Sequence, residues 1–79
     1  MSAHSFQIKE RYFIEPGFGI SGWVMRKEGS GSVVKKAKHR NLLLYFAEKT
    51  LFHKNAELRI CDSNGMIEDI IDFSKQFTF

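Results

Sequence analysis

The dipeptide Asn64-Gly65 constrains the fold of this chain more than any other local feature. It separates residues 56–61, in which apolar and charged side chains alternate, from the apolar-rich residues 66–73. Asn-Gly favours the positive φ angles of a type I′ turn, whose twist matches that of an antiparallel hairpin. We therefore expect the C-terminal third of the chain to form two paired strands.

Further strands are predicted in the N-terminal half. Residues 6–15 have an extended pattern that begins with strict apolar–polar alternation, and the Pro- and Gly-rich residues 16–22 predict a turn after it. Residues 23–28 predict a second strand. The pair Val33-Val34 predicts a short third strand, because β-branched residues favour strands.

One helix is predicted, from about residues 39–41 to Lys54. An antiparallel sheet of four or five strands, in the order β-β-(β)-α-β-β, would bury the apolar side of this helix against one sheet face. The predicted fold class is therefore α+β with a single helix. The apolar residues that share one stripe at helical spacing are Leu43, Leu44, Ala47 and Leu51.

The length of 79 residues allows one domain, which we take as residues 1–79 with an ordered core over about 6–73 and a frayed tail over 74–79. Cys61 is the one cysteine, so no intramolecular disulfide can form. The first residues lack a signal-peptide pattern, and the longest apolar run, 42–47, is too short to cross a bilayer. These features predict a cytoplasmic protein that does not enter a membrane.

Catalytic and metal-binding patterns are missing from the sequence. The histidines, His4, His39 and His53, are spread along the chain without zinc-ligand spacing. Cys61 falls within a predicted strand, where apolar packing is the simpler role. We therefore expect no metal, no cofactor and no enzymatic activity.

A basic stretch precedes the predicted helix. Residues 1–54 carry ten Lys and Arg against four Asp and Glu, whereas residues 55–79 carry two against five. Cations at a helix N-terminus oppose the helix dipole, so one interpretation is an anion site for nucleic-acid phosphate, and the other is a solvated loop. The stretch consists of Lys35, Lys36, Lys38, His39 and Arg40.

The predicted helix has more apolar residues than one buried stripe requires. The surplus consists of Leu42, Tyr45, Phe46 and Phe52. These side chains either form an exposed patch that binds a partner or widen the buried face. The first alternative predicts a non-enzymatic module for protein interaction or self-association, such as a homodimer. The second function hypothesis is nucleic-acid or other polyanion binding through the basic stretch.

Two segments resemble a family of small bacterial domains of unknown function. The first is the strand 22–25, a match to the family's Trp-x-Val strand, with Glu28-Gly29 after it. The second is the hairpin 57–67, which is close to Glu-Leu-x-Val-x-x-x-x-Gly-x-Ile. The resemblance covers about residues 12–73. It implies the same α+β arrangement and a bacterial source, and it implies no particular activity.

Overall fold

The computed structural model describes residues 9–17 and 22–74, which form a five-stranded mixed sheet with one helix. The predicted strand over residues 6–8 and the predicted tail from residue 75 onward lie outside the described residues. The elements are β1 (Glu10–Pro16), β2 (Trp23–Lys27), β3 (Val33–Ala37), α1 (Arg40–Leu51), β4 (Ala56–Cys61) and β5 (Ile67–Asp72).

The strand order across the sheet is β3-β2-β1-β4-β5. The predicted α+β class with one helix is confirmed, but the prediction of a wholly antiparallel sheet is wrong at one pair, because β1 and β4 are parallel. Two antiparallel hairpins leave β3 parallel to β1. Helix α1 then carries the chain back across the sheet, so β4 starts from the same end as β3 and lies beside β1.

The third strand is longer than the predicted Val33-Val34 pair. It continues through Lys35 and Lys36 to Ala37, so two of the five residues of the basic stretch belong to a strand. Because β3 is at the end of the sheet order, it is an edge strand of the described sheet.

The strand register aligns residues in rows across the sheet. The first row faces α1 and consists of Lys35, Met25, Ile14, Ile60 and Asp69. The second row lies on the opposite face and consists of Arg26, Phe13, Arg59 and Ile70, and the register of β2 with β3 shifts where this row reaches β3. Side chains of successive strand residues point to opposite faces, which keeps the two rows apart.

The core lies between α1 and the sheet. Leu43, Ala47 and Leu51 are buried, as the helical stripe predicted, and Leu44 at the edge of that stripe is half-buried. The sheet contributes Ile14, Met25, Leu58 and their neighbours to the same cluster. Burial of these side chains supplies the main stabilisation, at about 1.5–3 kcal/mol for each large one.

The helix is shorter than predicted and ends at Leu51 rather than Lys54. The Phe52 N–H donates to the Glu48 carbonyl at 3.2 Å, and His53 then has a φ of 71°, which breaks the helical path. Among the described residues, no helix is long and apolar enough to cross a membrane.

The β4–β5 hairpin is confirmed, but its turn is not of type I′. A type I′ turn needs positive φ at two successive residues. Gly65 has a φ of 83°, but the φ of Asn64 is not positive. The Asp62 side chain shapes the turn instead, because its Oδ1 accepts from the N–H groups of Asn64 at 2.9 Å and Met66 at 3.0 Å. Such Asx bonding is a common alternative source of turn geometry.

Candidate protein interface

The strand β3 divides the lysines of the basic stretch between two faces of the sheet. Lys35 aligns with Met25 on the helix face, and its Nζ lies 5.0 Å from the centroid of the Phe46 ring. Lys36 aligns with Val24 and belongs to the opposite face. The alternation of the strand therefore directs the two side chains to opposite faces, and both residues border the space between β3 and α1.

Arg40 contacts other parts of the fold. Its Nη1 lies 2.8 Å from the Glu68 carboxylate and donates to the Cys61 carbonyl oxygen at 2.9 Å. The guanidinium also lies 5.6 Å from the Trp23 ring centroid, within the range of cation–π attraction. Arg40 thus has protein partners for its charge.

Lys38 and His39 are the exposed members of the basic stretch next to α1. His39 is the N-cap residue, and among the described residues its side chain makes no cap hydrogen bond to the helix. The acidic residues that would complement the dipole are missing from the first turn. Anion binding by the basic stretch stays a prediction, with its cations spread over two faces and one helix end.

The surplus apolar residues of α1 are exposed rather than part of a wider buried face, with Phe46 as the exception. Leu42 is 56% exposed and Tyr45 is 61% exposed, and Phe52 is exposed as well. Phe46 is half-buried at the margin of the core. A spacing of three residues puts Leu42 and Tyr45 on one side of the helix, and Phe52 follows directly after its last residue. This stripe carries apolar area that the sheet does not cover.

A groove of about 440 Å³ separates α1 from β3. Its apolar surface comes mainly from Leu42, Tyr45 and Phe46 on the helix and Ala37 on the strand. Lys35, Lys36 and Lys49 also line it, and the Lys49 Nζ lies 5.1 Å from the Tyr45 ring centroid. The described residues that line the groove include no acidic residue. The groove is thus lined by apolar side chains and by positively charged ones.

The outer edge of β3 in the described sheet lies beside this groove. Among the described strands, β3 pairs with β2 alone. An edge strand presents unpaired N–H and C=O groups on its outer side, where another strand can pair. The sequence predicted the apolar residues of the site and the start of β3 at Val33-Val34, but not the continuation of this strand through Lys35 and Lys36 to the edge of the groove. The signal was present in the β-branched residues that open the segment.

Chemistry at the remaining reactive groups is limited. Among the described residues, no three His, Cys, Asp or Glu side chains come together in a group that could hold a metal ion. Cys61 is buried, and desolvation, with smaller contributions from the charges of Glu15 and Asp62, raises the pKa of its thiol. A thiol with a raised pKa is a poor nucleophile at neutral pH.

Comparisons with known proteins found no match to a family model, to a curated protein or to a solved structure. The resemblance to small bacterial domains of unknown function therefore stays a prediction.

Proposed function

We propose that this chain is a non-enzymatic protein-interaction module and that its interface is the groove between α1 and β3. The observation that carries the proposal is the exposure of Leu42 and Tyr45 on a helix whose other side is already packed. Leaving such side chains in water forgoes the free energy of burying them, and contiguous exposed apolar surface commonly marks an interaction site.

The proposed occupant is an extended, acidic segment of a protein partner that carries at least one apolar side chain. Pairing with the open edge of β3 would satisfy the main-chain groups of both strands, as in recognition by strand addition. An apolar side chain of the segment would enter the groove between Leu42 and Ala37. Its carboxylates would lie near Lys35 and Lys49, which line the groove without an acidic neighbour among the lining residues.

The alternative, binding of nucleic acid through the basic stretch, has weaker support. Strong phosphate binding needs several cations directed at one backbone track. Here Lys35 and Lys36 lie on opposite faces, and Arg40 is paired with Glu68. A cytoplasmic setting belongs to the proposal, since the one thiol is free and buried and needs no oxidising compartment.

The test is a selection from short random peptides displayed on phage, followed by affinity measurements on the enriched peptide. We expect enriched sequences to alternate apolar and acidic residues. Leu42→Ser and Tyr45→Ser should each weaken binding roughly tenfold, the effect of losing one well-buried apolar contact. Met66→Ser is the matched control, because Met66 is 66% exposed and lies outside the groove.

Two outcomes would refute this function. One is a selection that enriches nothing above an unrelated bait. The other is an equal loss of affinity in the Met66→Ser variant. A single-stranded oligonucleotide serves as the second probe: tight, salt-sensitive binding that survives Leu42→Ser would replace the protein-interaction role with polyanion binding.

A further inference from the structure

We infer that the acidic segment recognised by β3 is strand β5 of a second copy of this chain, so that the sheet continues from one molecule to the next. This inference rests on the proposed function, because it names the partner that pairs beside the groove.

The two edges of the described sheet carry opposite charge. Strand β3 contains Lys35 and Lys36 and no acidic residue, whereas β5 contains three acidic residues, Glu68, Asp69 and Asp72, and no basic one. Like charges on directly opposed strands are destabilising, so pairing of β3 with β3 and of β5 with β5 is disfavoured. Pairing of β3 with β5 is the one combination that brings unlike charges together.

The strand directions permit this pairing without turning either molecule over. Strand β3 is parallel to β1, because two antiparallel steps separate them. Strand β5 is antiparallel to β4, which is itself parallel to β1. A second copy placed at the β3 edge with its helix on the same side of the sheet therefore contributes an antiparallel β5, the commoner type of strand pair.

The register then places complementary side chains opposite each other on the helix face. The row that begins with Lys35 at one edge ends with Asp69 at the other, with Met25, Ile14 and Ile60 buried between them. Continuing this row without stagger brings Lys35 of one copy opposite Asp69 of the next. In the single chain, the Asp69 side chain accepts a hydrogen bond from the Ile70 N–H at 2.8 Å. Pairing with the incoming strand would replace this bond with hydrogen bonds between the two strands.

The opposite face of the junction is apolar. Antiparallel pairing with Lys35 opposite Asp69 places Val34, which is 43% exposed, opposite Ile70, which is 51% exposed. The same continuation brings these two side chains together and removes both from water. Charge pairing on one face and apolar contact on the other specify this register when both helices lie on the same side of the sheet, because a slip of one residue would turn every side chain of the incoming strand to the other face.

The predicted interface is heterologous, because it joins two different edges. Each added copy leaves one β3 edge and one β5 edge open at the ends of the assembly. Such interfaces produce open chains of molecules or closed rings rather than symmetric dimers.

The first test exchanges charges between the two edges and measures association by sedimentation velocity over a range of protein concentrations. We expect the wild-type chain to associate as its concentration rises. Lys35→Glu alone and Asp69→Lys alone should each weaken association roughly tenfold, because each opposes like charges. An equimolar mixture of the two variants should restore association, because each variant then meets an edge of opposite charge. Lys54→Glu is the charge-matched control, because Lys54 is exposed and lies outside both edge strands.

The second test reads the register directly. A Val34→Cys chain mixed with an Ile70→Cys chain should form an intermolecular disulfide under mild oxidation, and neither chain should do so alone. The native thiol, Cys61, is buried and does not compete.

A wild-type chain that stays monomeric at millimolar concentration, or one that associates equally well after Lys35→Glu, would overturn this inference. Either result leaves the proposed function intact if an acidic peptide still binds in a Leu42-dependent manner. If association responds to the charge variants as expected but the phage selection enriches no peptide, a second copy is supported as the partner. A general peptide-binding role is then refuted.

Discussion

The guanidinium of Arg40 lies 2.8 Å from the carboxylate of Glu68, which joins the first residue of α1 to the last strand of the sheet. The same guanidinium donates to the Cys61 carbonyl at the end of β4. A residue that was a candidate for binding an external anion thus connects the helix to the C-terminal hairpin.

Replacing Arg40 should therefore reduce stability. We expect Arg40→Gln to lower the free energy of unfolding by about 1–2 kcal/mol, from the loss of a partly exposed ion pair and of a charged hydrogen bond to a carbonyl. Urea denaturation followed by circular dichroism would measure the change. Lys38→Gln is the control, because Lys38 is exposed next to the same helix end. Equal stability of the two variants would contradict the role given to Arg40.

Gly22 should tolerate no side chain. Its φ is 121°, and a Cβ built on it would lie 2.7 Å from the carbonyl oxygen of Ala37 on β3. We expect Gly22→Ala to lower the thermal midpoint and to cost about 2 kcal/mol or more, through both backbone strain and the clash. Gly29→Ala is the comparison, because Gly29 also has positive φ, at 94°, but has no atom within 4 Å of the added Cβ.

The difference between the two glycine variants isolates the close approach of β2 to β3. If Gly22→Ala were no more destabilising than Gly29→Ala, the packing of the two strands at this point would be looser than the structure has it.

Asp72 should titrate far below an ordinary aspartate. Hydrogen bonds from Ser74, and then the Lys9 ammonium at 3.0 Å, lower its pKa from the ordinary 3.8 to about 2. Because the folded pKa is below the unfolded one, the carboxylate stabilises the fold above about pH 4, and this contribution is lost as the pH falls toward 2.

Ser74→Ala should move the Asp72 pKa up toward its ordinary value, because the hydroxyl donor is removed while the Lys9 contact remains. Carbon-detected NMR titration of the side-chain carboxyl group would measure the shift. Ser63→Ala, at an exposed turn position, should leave it unchanged. An Asp72 pKa that is the same with and without the Ser74 hydroxyl would refute the assignment of its cause.

Cys61 should react slowly with thiol reagents in the folded protein. The side chain is buried, and burial raises the pKa of the thiol, so both access and thiolate content are low at neutral pH. We expect one thiol to react with Ellman's reagent in guanidinium chloride and almost none to react in buffer. Rapid stoichiometric reaction of the native protein would show that the Cys61 end of β4 opens readily.

Local sequence patterns were sufficient for several elements. The 3.6-residue spacing of Leu43, Ala47 and Leu51 correctly predicted the buried side of the helix. The alternation within residues 56–61 and the Asn64-Gly65 signal correctly predicted the C-terminal hairpin. These succeed because periodicity and turn chemistry depend on residues that are close together in the chain.

The turn type and the third strand needed more than local preference. Asn64 avoids positive φ because the Asp62 side chain offers the turn an alternative set of hydrogen bonds. The lysines of β3 resemble a loop in isolation, whereas in the fold they pair with β2 as part of a strand.

By itself, the sequence determined the α+β class, the buried stripe of α1 and the excess of apolar residues on that helix, because each follows from the spacing and chemistry of near neighbours. Only the tertiary structure decided that β4 lies parallel to β1, that Arg40 binds Glu68, and that Lys35 and Asp69 terminate one row at opposite edges. These relationships join residues far apart in the chain. They depend on where α1 returns the chain across the sheet, which no local pattern specifies.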